Sequence, residues 1–147
     1  MVYIDADGKE KRPIVVHRSS VGCIERTIAF LLEKYAGALP LWLSPVQLRL
    51  LPVNEQSAAY ADELALRMKR RRLRVEVDSR SETVGRRLLA WRKDLVPYLG
   101  VVGSREETDG TVSVTSRDTG KKSVVDGEEL VDMLCRDRDE RRIELSL

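Results

Sequence analysis

Apolar and polar positions change their period several times along this chain. From Tyr3 to Arg18 the turn pair Asp7-Gly8 precedes the β-branched run Pro13-Ile-Val-Val, so a β-hairpin is expected. Ile24, Ile28, Leu31 and Leu32 then recur at helical spacing up to Tyr35, and Gly37 offers a stop. Ala38 to Pro45 is broken by prolines and reads as a linker. Val46–Leu51 is a short apolar strand closed by Pro52. Glu55–Arg71 is a helix with Ala58, Ala61, Ala65 and Met68 along one side. Leu73–Val77 alternates as a strand does. Ser79-Arg80-Ser81-Glu82 fits a capping box opening a helix to about Lys93, with Val84, Leu88 and Trp91 as its buried stripe. Tyr98–Val102 is a continuous apolar run suited to a central strand. Asp109-Gly110 turns the chain into the strand Thr111–Ser116. Asp126, with Glu129 three residues on, opens a last helix to about Arg138.

Strands alternating with helices predict an α/β fold: a mixed, mostly parallel sheet of about five strands flanked by helices, with right-handed crossovers, preceded by the hairpin and the first helix. The expected domains are residues 1–44 and 45–147. No internal repeat or low-complexity segment interrupts them.

Composition narrows this picture. Of 147 residues, 42% are apolar and 34% charged, which suits a chain with a real core rather than a disordered one. The net charge of +2 says little, but its distribution is uneven. Leu64–Lys93 carries 11 Lys or Arg against 3 acids, and Asp126–Glu144 carries 8 acids against 4 Arg. Arg outnumbers Lys 19 to 7, and the planar guanidinium fork suits phosphates and bases. Two cysteines make no disulfide framework, and Asp5 and Asp7 disfavour a secretory leader. The apolar run Ala38–Val53 contains three prolines and Arg49 and cannot span a bilayer. A cytosolic location is the expectation. Pro52-Val-Asn-Glu-Gln follows the first strand of the second domain where a phosphate-binding enzyme would carry a glycine-rich loop, which disfavours a small-molecule enzyme.

The first candidate chemistry is Gly22-Cys23-Ile24-Glu25-Arg26, between a strand signal and an apolar helix. A Glu-Arg pair at a helix start is also what a surface ion pair looks like. Its surroundings are more specific: Pro13-Ile-Val-Val-His17-Arg18 before it, then Tyr35-Ala36-Gly37, Pro40, Trp42-Leu43 and Pro45-Val46-Gln47. Together, His17 to Gln47 resembles motif 3 and the following segment of class II threonyl-tRNA synthetases. The resemblance implies that Arg26 meets ATP, its guanidinium over the adenine and at the γ-phosphate. It also implies that His17, the only histidine, is one of three protein ligands to a zinc ion. The other two ligands, and motifs 1 and 2, belong to upstream parts of such enzymes. Zinc and ATP/Mg are therefore expected of a complete enzyme and not of this chain alone, which is expected to be inactive in aminoacylation.

From Val46 onward the chain resembles the anticodon-binding domain of the threonyl, prolyl, histidyl and glycyl enzymes. Leu73–Asp78 with Arg80, Glu82 and Gly85 matches its second strand and next helix start, and Val96-Pro97-Tyr98 with Gly103–Glu106 its third strand and the loop after it. The implied partner is threonine tRNA, read at its unpaired anticodon bases. Arg80, Ser81, Glu82, Glu106 and Arg117 are the candidate contacts. Ser81 stands where many members have Asn, and an arginine of the family falls on Thr115, with Arg117 two residues on. Glu82 is a capping residue, an RNA contact, or both. The run Lys69-Arg70-Arg71-Arg72 is either a solvated helix end complementing the dipole or an attractor of RNA. The leading expectation is thus the C-terminal part of a threonine–tRNA ligase, supporting ATP-dependent threonylation within a homodimeric enzyme. The alternative is a stand-alone, non-catalytic accessory protein that binds tRNA or a partner on the same fold.

Overall fold

The computed structural model describes residues 1–19 and 21–147. Ser20, within the His17–Gln47 stretch, lies outside the described residues. The chain divides into two compact units, Met1–Phe30 and Leu31–Leu147.

In the first unit, β1 (Tyr3–Ile4) pairs antiparallel with β2 (Glu10–Lys11). Gly8 takes a left-handed φ of 74° in the turn, its N–H donating to Asp5 O at 2.9 Å. The hairpin is shorter than expected. Among the described residues Pro13–Val16 has no strand partner, and Ile14, Val15 and Val16 are exposed. β-branched residues favour a sheet only where a neighbour supplies the ladder and the packing. Helix α1 (Ile24–Lys34) forms as expected and runs across the boundary between the units, but none of its residues is buried. Its apolar stripe, including Ile24 and Ile28, is amphipathic without a cover among the described residues.

The second unit is a five-stranded sheet in the order β4-β3-β5-β6-β7. β3 (Leu48–Pro52) pairs parallel with β4 (Val75–Val77) and β5 (Tyr98–Val102). β6 (Thr111–Ser116) pairs antiparallel with β5, and β7 (Lys122–Asp126) antiparallel with β6. The sheet is mixed, as expected, with its parallel half on one side. Helices α2 (Glu55–Arg70) and α5 (Gly127–Asp139) bury Leu64, Met68, Leu130 and Leu134 in one core with Leu48, Leu50, Tyr98, Val112 and Val114. α3 (Val84–Lys93) buries Trp91 against Leu51, Leu99 and Val96, so it covers the other face. Strand alternation does the sorting: Leu50 faces one layer and Leu51 the other.

Local signals explain most boundaries. Asn54 caps α2 by accepting from Ser57 N at 2.8 Å, and Asp126 caps α5 by accepting from Glu128 N at 2.8 Å. The expected cap of α3 is displaced. Thr83 is its N-cap, accepting from Arg86 N at 3.4 Å, and Ser79–Glu82 forms bends ahead of it. β7 and the short helix α4 (Ser104–Asp109) were not among the elements expected. β7 alternates between exposed and half-buried residues and borrows its stability from pairing with β6. A strand of that kind is specified by its partner rather than by its own residues.

The segment 38–47 is built into this unit. Leu41 is 1% exposed and belongs to the core. Gln47 Nε2 donates to Leu41 O at 3.0 Å, and Arg74 donates to Ser44 O and Trp42 O, each at 2.9 Å. The proline-punctuated stretch is thus a strap on the sheet. The compact unit begins at Leu31, upstream of the boundary expected at residue 45.

Candidate nucleic-acid interface

The parallel strands direct their carboxyl ends to one edge. After β3 the chain enters α2 on one face; after β4 it enters α3 on the other. The two loops diverge there and leave a cleft of about 360 Å³, lined by Pro52–Glu55, Ala58, Ser79, Arg80, Ser81 and Arg87. Open α/β sheets bind ligands at such a divergence because backbone and side-chain donors converge there without a covering element.

Asp78 organises this cleft. It is 4% exposed at the end of β4. Arg80 Nε donates to Asp78 Oδ1 at 2.9 Å and Nη2 to Oδ2 at 2.6 Å. Those bonds hold the Asp78 carboxyl below the usual carboxylate range despite burial. Arg87, 6% exposed, donates through Nη1 to Asp78 O at 2.9 Å. Its Nε has no partner among the described residues. Arg80 is therefore drawn back onto the strand end, which keeps Ser79–Glu82 out of α3. The expected capping box does not form, and Glu82 is exposed ahead of the cap.

Glu106 stands at the same edge, after β5. One oxygen, Oε2, accepts from Gly103 N at 3.0 Å and caps α4. The half-buried side chain lines a second cleft of about 290 Å³ with Arg105, Asp109, Thr111 and Val124. An acceptor beside an apolar surface suits the edge and face of an unpaired base. Asn54 Nδ2 donates to Ser104 Oγ at 2.9 Å and so ties the loop after β3 to the loop after β5. Arg80, Ser81, Glu82 and Glu106 thus share one edge of the sheet.

Arg117 does not join them. The pairing of Tyr98 with Ser116 puts it beyond the start of β5, at the opposite edge. Its side chain is 10% exposed. Nη1 donates to Leu95 O at 2.8 Å and Leu39 O at 3.1 Å, Nη2 to Ala38 O at 3.3 Å, and Nε to Asp118 at 2.6 Å. These donors hold the strap and the turn after α3. Thr115, by contrast, lies on β6 directly opposite the exposed Lys122 of β7.

His17 and Arg26 lie in the first unit, both exposed. Arg26 is in the first turn of α1, where Cys23 Sγ donates to Glu25 Oε2 at 2.7 Å and lowers the Glu25 carboxyl. Among the described residues no group of three or more His, Cys, Asp or Glu side chains could hold a metal ion. His17 does not by itself fit a zinc site.

Sequence reasoning overlooked Arg87 and Asn54. For Arg87 a signal existed: three residues after Val84 and four before Trp91, it falls on the buried arc of α3 rather than its polar side. For Asn54 the signal was the N-cap pattern Asn-x-x-Ser, which is weaker than a Glu-terminated box.

Residues 47–137 match a family described as an anticodon binding domain. Threonine–tRNA ligase of Clostridium perfringens (strain SM101 / Type A) is 48% identical over 125 residues, 85% of this chain and 19% of that protein. The threonine–tRNA ligase catalytic subunit of Saccharolobus islandicus (strain L.S.2.15 / Lassen #1) is 39% identical over 142 residues, 97% of this chain and 26% of that protein. This chain therefore spans about a fifth to a quarter of these relatives' length. A solved structure, the RNA binding domain of threonyl-tRNA synthetase from Cryptosporidium parvum Iowa II, aligns with a TM-score of 0.75 at 29% identity, covering 86% of this chain and 32% of that one. No helix among the described residues is long and apolar enough to cross a membrane. With more than half of its residues in the matched region, the chain belongs to the anticodon-binding domain family and has threonine–tRNA ligases among its relatives.

Proposed function

We propose that this chain binds the anticodon stem-loop of threonine tRNA, as part of a threonine–tRNA ligase that carries out ATP-dependent threonylation in the cytosol. The observation that carries the reading is the shared edge: Glu106 and the Arg80–Glu82 bend flank the loops after three parallel strands, within the region matched by the family. Fixed acceptors and guanidinium donors in two adjoining clefts suit unpaired bases and the phosphates between them.

The first unit fits the same reading. The similarity to the S. islandicus catalytic subunit runs over 142 of the 147 residues, so it takes in most of the His17–Gln47 stretch. Ile14–Val16 and the Ile24–Ile28 stripe of α1 are exposed apolar surface of the kind a catalytic-domain remainder would cover. That need favours part of a larger, homodimeric enzyme over a free-standing accessory protein. Arg26 would then meet ATP. His17 would be one zinc ligand among three, with no zinc chemistry assigned to this chain's described residues.

The test is binding of a threonine anticodon stem-loop and of one with scrambled anticodon. Glu106→Ala is expected to weaken the cognate complex about tenfold, in line with one lost base contact of ~1–3 kcal/mol, and the scrambled one little. Glu106→Gln keeps an acceptor for Gly103 N and separates base reading from the cap. Equal loss for both RNAs would refute the base-reading role.

A further inference from the structure

The arginine run that ends α2 is not alone in space. α2 and α5 lie side by side and run in the same direction, since Arg67 meets Glu128 at 2.6 Å and Arg71 meets Asp132 at 3.2 Å. This register sets the end of α2 beside the first half of α5, and Arg138 reaches back to it from the last turn of α5, Nη1 donating to Arg71 O at 2.5 Å. From separate chain segments, Arg74, Arg138 and Arg141 gather by the strap residue Trp42 and the end of α2, where Arg70 and Arg72 flank Arg71 in the chain. Arg74 Nη2 donates to Trp42 O, and the Arg141 guanidinium sits 5.9 Å from the Trp42 ring centre.

Among the described residues, no carboxylate pairs with Lys69, Arg70, Arg72, Arg74 or Arg141. Burial, and then the like charge of Arg138, lower the pKa of Arg74. Cations at one helix C-terminus complement its dipole, but bringing Arg138 from a second helix to the end of α2 adds repulsion that the dipole does not require. Arg72 and Arg141 also hold left-handed backbone, φ 61° and 51°, one residue past their helices' caps. Glycine occupies that position without strain, so arginine there goes against a backbone preference.

We propose that this basic ridge, at the edge opposite Glu106, is a second RNA contact, which grips the phosphate backbone of a base-paired stem. Planar guanidinium forks match phosphate oxygens. Unpaired bases would need exposed aromatic faces to stack on, and the one aromatic ring here, Trp42, is half-buried with Arg141 over it. A stem presents phosphates and keeps its bases inside, which is what the ridge can use.

The test uses the whole chain and a short RNA duplex of arbitrary sequence at ~50 mM salt, where phosphate contacts dominate. The native chain is expected to bind it weakly and without sequence preference. The variant R70Q/R72G/R141G is expected to lose about tenfold in affinity and to flatten the plot of log K against log salt by about 3, since each of the three lost phosphate contacts removes ~0.9. Its thermal midpoint is expected to hold, because glycine relaxes two strained positions. Glu106→Ala is expected to leave duplex binding unchanged. Absence of duplex binding, or equal binding by native chain and variant, overturns the proposal and leaves the anticodon reading standing. Binding of polyglutamate but not of duplex, lost in the same variant, overturns it in favour of an acidic protein partner. Cognate stem-loop binding that fails while duplex binding behaves as stated sinks the anticodon reading alone.

Discussion

Arg80 grips both oxygens of the buried Asp78 carboxylate from two residues away, through Nε at 2.9 Å and Nη2 at 2.6 Å. This pair bends the chain between β4 and α3 and presents Ser81 and Glu82 at the strand-end edge. Removing the charge tests both roles. Asp78→Asn is expected to cost about 1–3 kcal/mol, as for a buried hydrogen-bonded charge, and to weaken stem-loop binding by releasing the bend. Denaturant midpoints alongside RNA titrations check this. A stable Asp78→Asn with native RNA affinity would show that the pair organises nothing.

The same pair makes stability pH-dependent. The folded pKa of Asp78 is depressed below its unfolded value of ~3.9. Its contribution is therefore full above that unfolded value and is lost as pH falls through the lower folded one. Asp78→Asn should show a flatter acid limb in denaturant midpoints measured from pH 7 to pH 2.

Arg117 is expected to matter for stability more than for RNA. Arg117→Ala leaves the carbonyls of Ala38, Leu39 and Leu95 without their donor and should cost about 2–3 kcal/mol, with faster hydrogen exchange in residues 36–46. Lysine should recover little, because one ammonium cannot reproduce the fork. Intact stability with a large loss of stem-loop affinity would restore Arg117 as an RNA contact.

Tyr98 holds the chain's last residues. Its hydroxyl accepts from Ser146 N at 2.8 Å and lies 3.4 Å from Asp137 Oδ2. Burial first, and the Asp137 charge second, raise its pKa above the ordinary tyrosine value. The neutral form is favoured in the fold, so its stability contribution is whole below pH ~10 and declines as pH rises past the unfolded value. Tyr98→Phe should cost about 1 kcal/mol at neutral pH and lose part of that alkaline decline. An unchanged alkaline limb would contradict the assignment.

Gly100 marks how tightly the central strand is packed. A Cβ there would stand 2.8 Å from Leu50 Cδ2 and 2.9 Å from Val112 Cγ1. Gly100→Ala is expected to lose about 1–3 kcal/mol by overpacking, read as a lower denaturant midpoint.

Taken alone, the sequence determined the elements with strong periodic faces or caps. The stripe Ala61, Ala65 and Met68, the stripe Val84, Leu88 and Trp91, the apolar run Tyr98–Val102 and the Asp126 cap each carry their instruction within a few residues, because periodicity and capping are local. The similarity of His17–Gln47 and of the strand ends to one family was legible for the same reason. Tertiary structure decided what depends on residues far apart. Thr83 rather than Ser79 caps α3 because Asp78 claims Arg80. Arg117 became a clamp because β6 runs antiparallel to β5 and returns it to the far edge. β7 exists because β6 offers it a ladder. Among the described residues nothing covers the apolar faces of Ile14–Val16 and α1, because periodicity can specify a face but not what meets it. The end of the Lys69–Arg72 run became part of a ridge only when the fold brought Arg138 to Arg71 O and set Arg141 beside the strap. Charges and guanidinium forks act through space, and spacing along the chain does not report which of them the fold will bring together.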